Sequence, residues 1–140
     1  MSFITNPDPL WSSRMLSVLR IIAALLFFEH GTSKLFGFPP NPMFDELQPF
    51  TLIWFAGILE VVGGLLLLVG LFTRPTAIIL SGEMAFAYWI AHAPQSPFPL
   101  LNDGDASILY CFLFLYMAFA GGGAWSVDNL MNRPDETVTT

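Results

Sequence analysis

The chain is 140 residues long, 54% apolar and only 11% charged, with a net charge of −6. That balance departs from soluble domains in the direction of a membrane protein. It offers no basic surface for nucleic acid, and so few charges with so much apolar content exclude a disordered chain.

One cysteine, Cys111 in Leu109-Tyr110-Cys111-Phe112-Leu113, excludes an intrachain disulfide, a CxxC redox pair and a thiolate metal cage. It reads as a small buried hydrophobe. Any redox chemistry must then use a bound cofactor or a partner's thiols. Met1 to Ser13 carries no basic residue before the first apolar run and no A-x-A site follows, so it is not expected to be a cleaved signal. Pro7 and Pro9 are expected to keep it non-helical. Trp11 then suits a membrane interface, and Ser12 or Ser13 the cap of the first helix.

Four apolar stretches follow, at about residues 14–36, 50–72, 75–93 and 105–124. Each is about long enough to cross ~30 Å of hydrocarbon at ~1.5 Å per residue. The second and fourth have no polar face, which a soluble bundle would need. The expected fold is therefore all-α: one integral membrane domain over residues 1–140, a bundle of four antiparallel transmembrane helices. Thr73-Arg74-Pro75 is a tight turn in which Arg74 is expected to complement the end of the second helix and Pro75 to open the third. The other two connections, Gly37 to Pro49 and Pro94 to Gly104, are longer and proline-rich. Within the second, Asn102-Asp103-Gly104-Asp105 reads as a turn and helix N-cap rather than a calcium loop, because the remaining ligands are missing.

Basic residues set the orientation. Arg14, Arg74 and Arg133 fall on one side, while Asp45, Glu46 and Asp103 occupy the long connections. The positive-inside rule then places both termini in the cytoplasm and the long connections outside. Trp11, Trp54, Trp89 and Trp125 all fall near helix ends, as an aromatic belt requires.

Between the end residues of these stretches the acidic, basic and histidine side chains are Arg20, Glu29, His30, Lys34, Glu60, Glu83 and His92. Such groups are costly in hydrocarbon and mark candidate functional positions. Glu60 and Glu83 lie near mid-helix. Glu29, His30, Lys34 and His92 lie toward the outer side. Gly57, Glu60 and Gly64 share a face, so Glu60 is expected to point into a close helix contact. His30 and Lys34 share another. Arg20 is expected to face the interior and bond Glu60 or Glu83, as charge balance or as part of a site; Lys34 is explained by snorkelling. His30 is expected inside the bundle near Glu60, Glu83 or His92. No metal is expected: adjacent Glu29 and His30 project about 100° apart and cannot act as the Glu-x-x-His pair of carboxylate-bridged bundle sites.

Phe28-Glu29-His30-Gly31-Thr32-Ser33-Lys34-Leu35-Phe36-Gly37-Phe38 resembles the first-helix signature of the DoxX family of membrane proteins. Glu60-Val61-Val62-Gly63-Gly64, Gly70-Leu71-Phe72-Thr73-Arg74-Pro75, the Asn102–Asp105 stretch with Leu109-Tyr110-Cys111-Phe112, and Gly121-Gly122-Gly123-Ala124-Trp125-Ser126-Val127-Asp128 agree in order. The chain departs from the pattern at Asp103 and Asp105, where Gly and Glu are usual, and at Gly122, where Pro is common. The resemblance implies a four-helix inner-membrane protein. Some relatives are named as subunits of quinol- or thiosulfate-linked oxidoreductases, others are linked to redox-stress complexes, and no catalytic residue carries over.

Three functions stand open. The first is a redox-linked membrane subunit holding a quinone-like ligand, with His30 and Lys34 donating hydrogen bonds, Glu29 or Glu60 accepting a proton, and Phe27, Phe28, Phe36 and Phe86 around the ring. The second is a non-catalytic anchor or stabilising partner of a larger complex, with other redox subunits or further copies of itself as partners beside the lipid bilayer. The third is a conduit for protons or a small solute, built on the depth spanned by the ionisable residues.

Overall fold

Asp8 and Pro9 start the first helix. The Asp8 carboxylate accepts a hydrogen bond from the Leu10 N–H at 2.9 Å, and Pro9 sits in the first turn, where its missing N–H costs nothing. Helix α1 therefore runs Pro9–Phe36, five residues earlier than the apolar run suggests, and Ser12 and Ser13 lie inside it. The computed structural model describes residues 8–132, so Arg133 and Pro7 lie outside the described residues. All regular structure among them is helical.

Helix α2, Leu52–Val69, is capped by the Thr51 hydroxyl, which accepts from the Trp54 N–H, and ends at Gly70 with φ 72°. Phe50 and Phe72 thus fall outside the helix expected over 50–72. Helix α3, Thr73–Ala87, opens directly after that turn. At Tyr88–His92 it widens into a π-helical turn, closed by the Ala93 N–H on the Tyr88 carbonyl at 2.8 Å. Helix α4, Asp105–Ala120, stops at Gly121 rather than at 124, and a short α5, Val127–Met131, follows. The Asn102–Asp105 turn forms as expected: the buried Asn102 amide accepts from the Gly104 N–H and donates to the Ser96 carbonyl, both at 2.8 Å.

The contacts between helices run in opposite senses along the chain. A Cβ at Gly64 would meet the Phe28 backbone, one at Gly31 the Val61 N–H, and one at Gly57 the side chain of Lys34, so α1 and α2 are antiparallel and in close contact. Arg74 reaches Ala118 and Phe119, and Ser81 reaches Cys111, so α3 and α4 are antiparallel as well. Phe27 of α1 packs edge-on against Phe114 of α4 with ring centroids 4.9 Å apart. Around it Ala23, Ala24, Leu67, Ala77, Leu80, Met84, Met117 and Ala118 complete the core. Arg74 thus caps the carbonyl end of α4, not that of α2.

The outward faces stay apolar. Ile22, Leu25 and Leu26 of α1, Leu59, Val62 and Leu65 of α2, Ile78, Ile79 and Phe86 of α3, and Leu109, Phe112 and Phe119 of α4 are all exposed. By length and composition α1 and α2 are long and apolar enough to cross a membrane; α4 is apolar but shorter, at 16 residues.

Candidate polar site

Arg20 is fully buried at the end of the bundle where α1 begins and α2 and α4 finish. It does not bond Glu60 or Glu83. Its guanidinium donates to four backbone carbonyls: Gly122 at 2.8 Å, Leu68 at 2.7 Å, Trp125 at 2.6 Å, and Leu67. Leu67 and Leu68 belong to the last turn of α2, whose free carbonyls carry the negative end of the helix dipole. A planar fork of five N–H groups suits that crowd of acceptors, which an acid pairing would not. Ser17 extends the same junction, accepting from the Trp125 N–H at 2.9 Å.

Asp128 completes this end, and sequence reasoning missed it. Its two carboxylate oxygens accept from the Phe72 and Thr73 N–H groups, each at 2.8 Å, and so cap α3 from 55 residues away. Burial alone would raise this carboxyl, but the hydrogen bonds from Thr73 and Phe72 and the nearby Arg20 charge outweigh it and hold the value below the usual 3.8. The signal available was a short polar segment, Ser-Val-Asp, after a glycine run.

A second cluster lies deeper in the bundle. Lys34 of α1 forms an ion pair with Glu60 of α2, and Glu83 of α3 stands within coulombic reach of both. Glu60 is 2% exposed. Gly31 sets the approach, because a Cβ there would lie 2.7 Å from the Val61 N and 2.9 Å from the Glu60 Cβ. Lys34 is therefore not a snorkelling side chain. Its ammonium also lies 5.6 Å from the Phe44 ring centroid, so a residue of the long connection sits over it. The partner foreseen for Arg20 is taken by Lys34, because the α1–α2 register places Lys34 opposite Gly57 and Glu60.

Glu29 and His30 are exposed rather than enclosed. They line a cleft of about 340 Å³ between α1, α4 and the first long connection, together with Leu26, Ser33, Phe44 and Tyr110. The His30 ring meets the Tyr110 ring edge-on at 6.3 Å. Ser33 donates to the Pro39 carbonyl at 2.8 Å and ties the connection down beside the cleft. The aromatics foreseen around a ligand sit elsewhere: Phe27 is core, Phe28 packs against Gly64, and Phe36 and Phe86 are exposed on the outside. Phe44 and Tyr110 take their place.

His92 does not join either group. Its Nδ1 lies 2.8 Å from the Asn102 carbonyl and its ring stacks on Tyr88, which ties the π-helical turn to the second long connection. Among the described residues no three His, Cys, Asp or Glu side chains converge as metal ligands would. The seven candidates thus divide: Lys34 and Glu60 pair with the buried Glu83 near them, Glu29 and His30 share a neighbouring cleft, and Arg20 and His92 stand apart with backbone partners.

Comparison with known proteins agrees with this architecture. The DoxX family model matches residues 15–93, which hold most of α1, all of α2 and α3, and all seven candidate residues. The chain belongs to the DoxX family. An uncharacterized protein of Haemophilus influenzae is 43% identical over 120 residues, covering 81% of this chain and 88% of its own length. The inner membrane protein YqjF of Escherichia coli is 28% identical over 124 residues, covering 83% of this chain and 91% of its own. No solved structure matches significantly. This DoxX chain is a helical membrane protein, and its apolar outer faces are the physical counterpart of that assignment.

Proposed function

We propose that this DoxX protein crosses the inner membrane four times, with α1, α2, α3 with its π-helical turn, and α4 as the spans, and that it is a redox-linked subunit whose outer cleft takes a quinone-like ring. Exposed apolar residues on all four helices support the spans. Arg14 and Arg74 lie at the end away from Asp45, Glu46 and Asp103, which supports cytoplasmic termini. The orientation is checked in a Cys111→Ala background. Asp45→Cys and Pro97→Cys should label from outside intact cells and Arg133→Cys should not; the reverse pattern refutes it.

One observation carries the ligand reading: hydrogen-bonding groups and aromatic rings converge on the same cleft. Its volume of about 340 Å³ lies within the usual small-molecule range of roughly 300–1,000 Å³. His30 and Tyr110 present a ring N–H and a hydroxyl, as carbonyl oxygens require, and Phe44 supplies a flat apolar surface. Glu29 beside them can hold a proton released on oxidation of a hydroxyl. A bound quinone would contribute the electron transfer for which these side chains alone have no group.

The test is binding of a short-chain ubiquinone to the purified protein by calorimetry, with quinone analysis of its organic extract. His30→Phe and Tyr110→Phe are each expected to weaken binding about tenfold, the worth of one hydrogen bond at about 1.4 kcal/mol. Absence of quinone in the extract together with no binding, or wild-type affinity in both variants, refutes the reading.

A further inference from the structure

The buried cluster beneath the cleft has an odd charge count. Lys34 brings one positive charge and Glu60 and Glu83 bring two carboxyls. One Glu60 oxygen is taken by Lys34. The remaining Glu60 oxygen and both Glu83 oxygens are buried and have no hydrogen-bond partner among the described residues. Three orphaned acceptors and one uncompensated negative charge cannot stand together in a dry helix contact, because unpaired buried charge is among the costliest arrangements a fold can hold. A single added proton removes the excess charge and, seated on one oxygen and facing another, occupies two of the three acceptors. An alkali or divalent metal would demand more oxygen ligands than three, and no third acid converges here. A proton needs one carboxyl oxygen to sit on and one to face.

We propose that Lys34, Glu60 and Glu83 form a proton-binding site, holding one exchangeable proton on the Glu60–Glu83 pair with Lys34 as the fixed counter-charge. It stands apart from the quinone reading and does not depend on it. The other titratable groups facing the site are few. His30 and Glu29 lie one turn or so away on α1, and α4 offers Tyr110 and Cys111, the latter next to Ser81. The Tyr88 and His92 rings of the π-helical turn stack on each other, and His92 is engaged by the Asn102 carbonyl. None of these supplies a second fixed positive charge. Exchange with the outside runs past Lys34, which keeps 14% exposure beside Phe44 and the long connection.

Two measurements test the site in detergent-solubilised full-length protein. Infrared spectra at neutral pH should show the carbonyl stretch of a protonated carboxyl group, shifted in heavy water and lost in Glu83→Gln or Glu60→Gln, but kept in His30→Phe. Dicyclohexylcarbodiimide, which attacks protonated carboxyls in apolar surroundings, should label Glu83 or Glu60 in the wild-type chain, as read by peptide mass spectrometry, even if a glutamine variant fails to fold. No protonated-carboxyl band and no adduct on either residue overturn the proposal. So does a band that both glutamine variants retain. A band abolished by sodium chloride but not by choline chloride assigns the site to an alkali cation and overturns it as well. Loss of ubiquinone binding in His30→Phe with the band intact separates this site from the cleft.

Discussion

Replacing Arg20 by Lys tests whether this buried cation serves charge balance or backbone capping. Arg20 makes four hydrogen bonds, all to carbonyls, and no acid touches it. Lysine keeps the charge but gathers its donors on one atom, so it cannot span the end of α2 and the Gly122–Trp125 loop together. It should lose at least two of the four bonds. At roughly 1.5–3 kcal/mol for a bond to a charged group, less what water or relaxation restores, the expected cost is about 2–4 kcal/mol. Arg20→Met strands all four carbonyls and should cost about 3–5 kcal/mol. Denaturant titration in detergent micelles measures both. Amide exchange should rise in residues 121–131, which the guanidinium ties to α2. A double-mutant cycle with Glu60→Gln decides between the explanations. Independent sites add to within ~0.5 kcal/mol, whereas a direct pair would show coupling above ~1 kcal/mol. Rescue of Arg20→Lys to wild-type stability, or strong coupling to Glu60, would refute the capping account.

Lys34→Met should destabilise the fold by about 3–5 kcal/mol, because it leaves Glu60 and Glu83 without a cation, and Glu60→Gln in the same chain should recover much of it in the same titration. Gly31→Ala places a Cβ 2.7 Å from the Val61 backbone and should cost about 1–3 kcal/mol, while Gly82→Ala, with nothing within 4 Å, should gain about 0.5–1 kcal/mol from helix propensity. Asp128 is held below its ordinary value in the folded state, so its stabilisation is present above 3.8 and is lost as the medium is acidified through the folded value. Thermal midpoints should therefore fall on acidification below that point in the wild type, and Asp128→Asn should start lower at neutral pH and lose that part of the dependence.

The placement of the helices was legible in the sequence, and their ends less so. Uninterrupted apolar runs identify four long helices because hydrocarbon and a helical core make the same demand of a side chain. The ends depend on single residues. Asp8 and Pro9 form a cap and first turn, although Pro9 read as a helix breaker, since proline excludes itself from a helix interior but not from its start. Gly70 and Gly121 end α2 and α4 within a few residues of the expected positions. The ionisable residues within the apolar runs were visible, unlike the role of Asp128 beyond them, and so was the shared face of Gly57, Glu60 and Gly64.

What composition and periodicity determine by themselves is a set of apolar helices that must bury their few charges. Which charge meets which depends on helix register, a property of pairs of helices that no single stretch contains. Gly31 against Val61 fixes the depth of α1 on α2, and that depth delivers Lys34, not Arg20, to Glu60. Arg20 finds its partners in the last turn of α2 and in a loop 102 residues away, among carbonyls that every residue carries and that leave no mark in a sequence. A carboxylate can be recognised from the letters of a chain; a cluster of free carbonyls exists only once helix ends are brought together in space.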